Sequence, residues 1–156
     1  MLNIMKNLLM YLWQLPQNIL GLIFMVFLRD KKLILKQDNV SFYTAKNMRG
    51  GISLGKYVFL SHSSMIQIPA YNHEYGHCLQ SRKLGWLYLF SVGLASLMVA
   101  NMSESCSASA CTYYRYWTEK WANKLGGIEG WCGESRYAGG KLDISQYYLN
   151  ETWAGL

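Results

Sequence analysis

The first apolar block of the chain covers residues 7–28 and contains no charged residue. Its length suits a membrane-spanning helix of about 20 residues. Pro16 should kink or split this helix, and the neighbouring amide side chains make its middle polar. The block therefore predicts either a helix that crosses a membrane or a pair of buried or interfacial helices. We expect residues 1–28 to form a hydrophobic membrane or interfacial segment.

A block of β-branched and aromatic residues follows and predicts a small β-sheet. The runs KLILK, VSFYTA and KYVFLS alternate in part between apolar and polar positions, as half-buried strands do. Glycines flank the short apolar stretch between Arg49 and Gly55, where a turn or a strand edge fits. A strand at the edge of the sheet around Ile52–Leu60 could bind an extended peptide through main-chain hydrogen bonds, and a plain hairpin fits this segment equally well.

The later blocks predict helices. Pro69 suits the first turn of a helix over residues 69–83, because the amide hydrogens of a first turn stay unpaired in any case, and Gly85 should end this helix. Residues 86–103 carry no charge and are about long enough to span a membrane. A further helix is expected over Thr112–Leu125, where two glycines close it.

The composition indicates a protein that is not surrounded by water on all sides. Only 15% of its 156 residues are charged, against about 25% in soluble domains, and 51% are hydrophobic. The net charge of +6 is not gathered in one stripe, so anionic lipid headgroups match it better than nucleic acid does. The basic run at residues 29–32 would keep the rest of the chain in the cytoplasm if residues 7–28 span the membrane. We therefore expect membrane lipid as a partner, at a bacterial inner membrane with the functional site facing the cytoplasm.

The strongest chemical signal is the stretch His73-Glu74-Tyr75-Gly76-His77 within the predicted helix. Helical residues four apart lie on one face, so both imidazoles could point at one metal ion. Glu74 is turned by about 100° from His73. That places its carboxylate beside the metal, where it could accept a proton from a zinc-activated water. This is the H-E-x-x-H pattern of zinc peptidases.

A catalytic zinc site needs a third protein ligand, and no histidine follows His77. The four cysteines include no C-x-x-C pair, so a cysteine site is disfavoured. His62, on the preceding loop, is a weak candidate. An acid on a later helix is the other known solution, and Glu119 lies within YWTEKWANKLGG at residues 116–127.

An H-E-x-x-H helix followed by an E-x-x-A-[DN]-x-L-G helix resembles the gluzincin metallopeptidases, especially the membrane enzymes of the CAAX-prenyl-protease and heat-shock membrane-protease types. The match covers residues 73–127. The resemblance implies a zincin-like α+β fold, in which a small sheet packs its edge strand on the motif helix. It also implies a zinc ion (Zn2+) with a catalytic base beside it. The residues in these roles would be His73, His77 and Glu119 as ligands, Glu74 as the base and Asn123 as a partner of the ligands.

The chain departs from that family at two places. Asn123 stands where the family has an aspartate, so it can orient an imidazole but adds no charge. The family's later histidine, which helps to hold the oxyanion, has no counterpart. A hydrogen bond to the oxyanion could come instead from Arg136, Tyr137, Tyr113, Tyr114 or Tyr116. The resemblance also implies that Ala122 is the small residue that lets the two helices approach.

If Glu119 and His73 bind one metal ion, the apolar residues between them cannot simply cross a membrane once. We expect residues 84–103 to form a hydrophobic hairpin that lies in the membrane. The arrangements that remain open are a re-entrant or interfacial pair bent near Gly93, a buried core helix, and half of a hairpin whose return is made by the next helix. Residues 29–156 would then form a zinc metallopeptidase-like domain that hydrolyses peptide or protein substrates near the membrane. The alternative function is a membrane-associated zinc-binding protein without proteolytic activity.

Overall fold

The computed structural model describes residues 2–45, 48, 50–61, 68–105, 110–133 and 140–142. Within them the chain has an α+β fold with a mixed four-stranded sheet and six α-helices, which confirms the predicted class. The helices are α1 (Leu2–Trp13), α2 (Leu15–Phe27), α3 (Ile68–Leu84), α4 (Leu94–Ser105), α5 (Ala110–Tyr114) and α6 (Trp117–Gly126). The strands are β1 (Lys31–Gln37), β2 (Val40–Ala45), β3 (Gly51–Leu54) and β4 (Tyr57–Ser61).

The strands lie in the order β1-β2-β4-β3, with β2 and β4 parallel and the other pairs antiparallel. Asp38 and Asn39 connect β1 to β2 with φ of 49° and 59°, the left-handed pair that a tight two-residue hairpin turn requires. Of the two alternatives for Ile52–Leu60, the structure has the hairpin: a turn at residues 55–56 folds this segment into the antiparallel pair β3–β4. In the described part of the chain, β3 lies at the edge and β4 lies inside the sheet.

The N-terminal apolar block forms two helices, as Pro16 predicts. α1 and α2 meet at an angle of 85°, and Pro16 lies in the first turn of α2. Buried amides of this block bond to the end of α3. Gln17 Nε2 donates to Ser81 Oγ at 3.3 Å, and Ser81 Oγ donates to Gln14 Oε1 at 2.8 Å. The polar residues that interrupt the apolar pattern therefore attach the helix pair to the rest of the protein.

The apolar residues after α3 bend earlier than predicted. A 3-10 turn (Gly85–Leu87) follows α3, and the helix axis then turns by 115° before Leu89. A π-helical turn (Leu89–Gly93) leads directly into α4, so the helix continues past Gly93 without the bend expected there. The bend follows Gly85 instead, which has a left-handed φ of 53° and leaves no room for a Cβ beside the ring of Trp13.

Within the described residues, each helix on its own is too short or too polar to cross a membrane. Two bent pairs reach the required length and hydropathy together: α1 with α2, and α3 with the helical segment that follows it.

The hydrophobic core lies between one face of the sheet and α3. It includes Phe42, Val58 and Leu60 of the sheet and Tyr71 and Cys78 of α3. Twelve of the seventeen residues of α3 are buried, because the sheet covers one side of this helix and α6 covers another. This position explains why the sequence of α3 lacks the one-sided apolar pattern of a surface helix.

α3 and α6 approach so closely that they leave no room for a side chain between them. A Cβ on Gly76 would lie 2.0 Å from the carbonyl oxygen of Ala122, and a Cβ on Gly126 would lie 2.1 Å from that of Asn72. Ala122 itself is fully buried. The two histidines of α3 therefore lie against the beginning of α6.

The prediction of one continuous helix over Thr112–Leu125 is wrong. Tyr116 has an extended backbone, with ψ of 147°, and separates α5 from α6. Glu119 consequently falls in the first turn of α6, where the helix dipole stabilises a carboxylate. Gly127 ends α6 in a left-handed conformation, as the paired glycines predict.

Candidate metal centre

Two histidines of α3 and one glutamate of α6 converge where these helices meet. Nε2 of His73 and Nε2 of His77 each lie 3.1 Å from Oε2 of Glu119, and the two nitrogens lie 3.2 Å apart. All three side chains are buried, Glu119 completely. One ligand atom from each residue lies within 4.8 Å of the others, so this group could hold a metal ion. The structure thus brings together the three residues that the motif and the resemblance predict as ligands.

Asn123 fixes the orientation of His73. Its Nδ2 donates to the carbonyl oxygen of Trp131 at 2.9 Å, which leaves Oδ1 facing Nδ1 of His73 at 2.6 Å. Because an amide oxygen can only accept, Nδ1 of His73 carries a proton, which leaves Nε2 as the ring atom that can bind a metal. Asn123 therefore contacts one of the ligand histidines, as the role implied by the resemblance requires.

Gln80 fixes His77 in the same way, and sequence analysis missed this residue. Nε2 of Gln80 donates to the carbonyl oxygen of Thr118 at 2.7 Å, so Oε1 faces Nδ1 of His77 at 2.7 Å. The side chain is fully buried and joins α3 to α6. Its position three residues after His77, on the same side of the helix, is the signal that could have found it.

The buried ligand group shifts the protonation of its own members. Burial is the largest effect on the pKa of His77 and would lower it, but the charge and hydrogen bond of Glu119, together with smaller effects of Glu74 and Gln80, raise this pKa to about 9. Burial would raise the pKa of Glu119, whereas the two imidazoles hold it well below its usual range. Without metal, His77 therefore shares a proton with Glu119 at neutral pH. A metal ion must displace that proton, so metal binding weakens as the pH falls.

Glu74 faces the sheet, one helical step away from the ligand group. Oγ of Ser53, on β3, donates to Oε2 of Glu74 at 2.6 Å. A Cβ on Gly51 would lie 2.3 Å from Oε1, so the glycine leaves the space that this carboxylate occupies. The charge of Glu74 also contributes to the raised pKa of His77. α3 thus presents two histidines to α6 and a glutamate to β3.

Aromatic rings enclose His73. Tyr114 packs edge-on against it with ring centroids 5.1 Å apart, and Trp131 lies at 5.6 Å. Tyr114 and Trp131 also contact each other at 4.6 Å. These rings reduce the access of water to one side of the ligand group, which strengthens electrostatic interactions inside it.

The residues suggested as oxyanion donors differ in where they lie. Burial, and then the charges of the two glutamates nearby, raise the pKa of Tyr113 well above its ordinary value, so its hydroxyl keeps its proton. Tyr116 is exposed at the start of α6. Tyr137, Arg136 and the weak ligand candidate His62 lie outside the described residues.

Substituting Gln80 with methionine should weaken metal binding by about 10- to 100-fold, as the loss of a residue that orients a metal-binding histidine generally does. Methionine preserves the size of the side chain but removes the acceptor that holds the proton on Nδ1 of His77. The affinity for zinc can be measured by competition with a chromophoric chelator.

Gln17→Met is the matched control for Gln80→Met, because Gln17 is also a fully buried amide but bonds to Ser81, away from the ligand group. Both variants should lose stability, since each leaves a buried group unpaired, and only Gln80→Met should lose zinc affinity. Equal zinc affinity in the two variants would contradict the positioning role of Gln80.

Comparison of the chain with protein-family models, with curated proteins and with solved structures finds no match in any of the three. A proposal for the function must therefore rest on the geometry of the ligand group and on the motif that supplies it.

Proposed function

We propose that this chain is a zinc-dependent endopeptidase of the gluzincin type, with a zincin-like arrangement of edge strand and ligand helices, that cleaves peptide or protein substrates close to a membrane. One observation carries the proposal. The ligand atoms of His73, His77 and Glu119 lie 3.1 to 3.2 Å from one another, and Glu74 occupies the neighbouring face of the same helix.

Zinc is the metal that this set of donors favours. Two imidazole nitrogens and one carboxylate oxygen are the ligands of catalytic zinc in several peptidases, where a fourth position stays open for water. Calcium and magnesium prefer sites made of oxygen atoms. A zinc ion in this site would lower the pKa of a coordinated water toward about 7 and polarise the scissile carbonyl group. Asn123 and Gln80 would keep both imidazoles in the tautomer that binds metal through Nε2.

Glu74 would act as the general base. Its Oε2 accepts the hydrogen bond from Ser53, which leaves Oε1 to take a proton from the attacking water and to pass it to the leaving amine. Tyr113 and Tyr114, whose hydroxyls stay protonated near Glu74 and Glu119, are the described residues that would donate a hydrogen bond to the oxyanion.

Strand β3 would bind the backbone of the substrate. It lies at the edge of the sheet in the described part of the chain, and it contacts Glu74 through Gly51 and Ser53. An extended peptide can add to such an edge through main-chain hydrogen bonds. A peptide held there would have its scissile bond next to the base on α3.

The exposed apolar surface supports a location at a membrane. Val26 and Phe27 at the end of α2 are 80% and 79% exposed, and Phe90 after the bend is 76% exposed. The exposed apolar residues of α2 also include Ile19, Leu20, Leu22 and Ile23, and apolar surface of this extent marks a membrane or protein contact. With the basic residues that follow α2, it fits a bacterial inner membrane with the site on the cytoplasmic side.

A non-catalytic zinc protein is the second candidate, and one observation favours it. All three ligands are less than a tenth exposed: His73 at 4%, His77 at 6% and Glu119 at 0%. Structural zinc sites are closed in this way, whereas catalytic sites keep one position open. The two candidates differ in one measurable property, the hydrolysis of a peptide.

The purified chain should contain one zinc ion and should cleave an unfolded protein such as casein, because the ligand group and Glu74 supply both parts of a zinc hydrolase. Removing the zinc with a chelator should stop cleavage, and adding back one equivalent should restore it. Zinc content and cleavage rate are measured on the same samples.

Calcium added to the chelated protein is the control, because the two imidazoles do not suit it, and it should restore nothing. Bound zinc without cleavage of casein or of a membrane-embedded peptide would support the non-catalytic candidate. Absence of bound zinc at neutral pH would contradict both.

A further inference from the structure

A concave surface lies between α1 and the turns of the sheet. This cavity has a volume of about 1110 Å³, similar to the larger small-molecule sites, which range over about 300–1,000 Å³. Its walls come from α1, the β1–β2 turn, the β3–β4 turn and the end of α3. It contains none of the three ligand residues and not Glu74, so it is separate from the metal centre.

Positive charge dominates this cavity. Lys6, Lys36, Lys56 and Arg82 line it, and Asp38 is the one acidic residue in its described lining. Asp38 is already satisfied, because Arg82 forms a salt bridge with it and the hydroxyl of Tyr75 donates to it at 2.5 Å. The three lysines therefore give the cavity a positive field that no acid of its lining balances.

The side chain of Lys56 is held in place at the wall of the cavity. Its ammonium group lies 4.6 Å from the ring centre of Tyr11 on α1 and 5.2 Å from that of Tyr57. Its backbone nitrogen donates to the buried side chain of Asn18 at 3.0 Å. One of the three positive charges is thus positioned by the fold, while Lys6 and Lys36 are exposed.

The cavity opens onto an apolar surface. Ile4 and Leu8 belong both to its lining and to the exposed side of α1, where they are 73% and 58% exposed. Trp13 and Trp86 lie where α1 meets the end of α3, and their indole N–H groups donate to backbone carbonyls at 3.0 and 2.9 Å while their rings stay half exposed. Tryptophans that combine a bonded N–H with an exposed ring are typical of the boundary between membrane and water.

We propose that this cavity binds the headgroup of an anionic phospholipid whose acyl chains lie along the exposed face of α1. The phosphate supplies the negative charge that three lysines require, and the chains cover the apolar rim formed by Ile4 and Leu8. A soluble anion would match the lysines but not the rim, and a neutral lipid would match the rim but leave the positive charge unbalanced. The inference does not depend on the peptidase function.

The test measures binding of the purified chain to vesicles of phosphatidylcholine alone and to vesicles in which roughly a third of the lipid is phosphatidylglycerol. The wild-type protein should prefer the anionic vesicles. Lys6→Gln/Lys36→Gln should weaken binding to anionic vesicles by about tenfold or more and leave binding to neutral vesicles unchanged, because both lysines contact the headgroup and not the chains. Lys56→Gln should have the same effect and gives a second, independent variant.

Lys124→Gln/Lys141→Gln is the matched control. These substitutions remove the same charge, and both lysines are exposed and lie outside the cavity lining. An equal loss of binding in the control pair would reduce the effect to overall charge and overturn the inference. Millimolar inorganic phosphate should neither release the protein from vesicles nor raise its melting temperature. If phosphate does either in the wild type but not in Lys6→Gln/Lys36→Gln, the cavity binds soluble anions and not lipid.

Discussion

Replacing Glu74 by glutamine is expected to abolish peptide hydrolysis and to leave zinc in place. Loss of a general base lowers a reaction rate by about 10²- to 10⁴-fold. The Glu74 carboxylate is not part of the ligand group, so zinc should stay on His73, His77 and Glu119. Glutamine has nearly the same shape, and its amide oxygen can still accept the hydrogen bond from Ser53.

The measurement pairs the zinc content of each preparation with its initial rate of peptide cleavage. Glu129→Gln is the matched control, because it makes the same substitution at an exposed glutamate outside the ligand group. Glu129→Gln should resemble the wild type in both quantities. A Glu74→Gln protein that holds its zinc and cleaves as fast as the wild type would remove Glu74 from the mechanism, and one that loses zinc would make Glu74 a ligand.

Local patterns were sufficient to predict α3 and a helix around Glu119, although not the break at Tyr116 that separates α5 from α6. The four-residue spacing of His73 and His77 requires only helical geometry, and Pro69 lies in the first turn of α3 as expected. Glu119 and Asn123 were predicted from a second motif on another helix, and the structure places both beside the histidines. A motif with a fixed spacing predicts side-chain positions because the helix supplies the geometry.

The contacts between elements could not be predicted in this way. Gly76 is the residue that lets α3 meet Ala122, yet in the sequence it looks like an ordinary variable position of the motif. Gln80 resembles a solvated helix residue until its burial between α3 and α6 is known. The bend after α3 follows Gly85 and not Gly93, because Trp13 of α1 occupies the space beside Gly85. Each of these facts depends on a partner distant in sequence.

These tertiary contacts make the ligand group a link between two helices. His73 and His77 belong to α3, and Glu119 belongs to α6. The amide of Gln80, on α3, contacts His77 and donates to a carbonyl of α6, and the amide of Asn123, on α6, contacts His73. A metal ion in this group would therefore join the two helices through its own ligands, and zinc binding would stabilise the fold.

Replacing Glu119 by alanine is expected to remove nearly all zinc from the protein. The variant loses one of three ligands and the only negative charge among them. Loss of a residue that only orients a metal ligand lowers metal affinity by about 10- to 100-fold. Loss of Glu119 itself should lower the affinity for zinc by more than that. In the metal-free variant the pKa of His77 should fall from its raised value, because the charge of Glu119 no longer opposes the effect of burial.

Two measurements follow from this variant: zinc content after dialysis, and the titration of the His77 ring by NMR in metal-free protein. The wild-type ring should titrate near pH 9, and the ring of Glu119→Ala should titrate at lower pH. Glu129→Ala, at an exposed acid, should change neither quantity. If the pKa of His77 falls while zinc remains bound with unchanged affinity, Glu119 is only the ion-pair partner of a histidine, and the third ligand lies elsewhere in the chain. If the Glu119 carboxylate interacts with the proton in one state and with the metal in the other, the raised pKa of His77 and the zinc affinity should be lost together, because proton and metal compete for the same lone pairs.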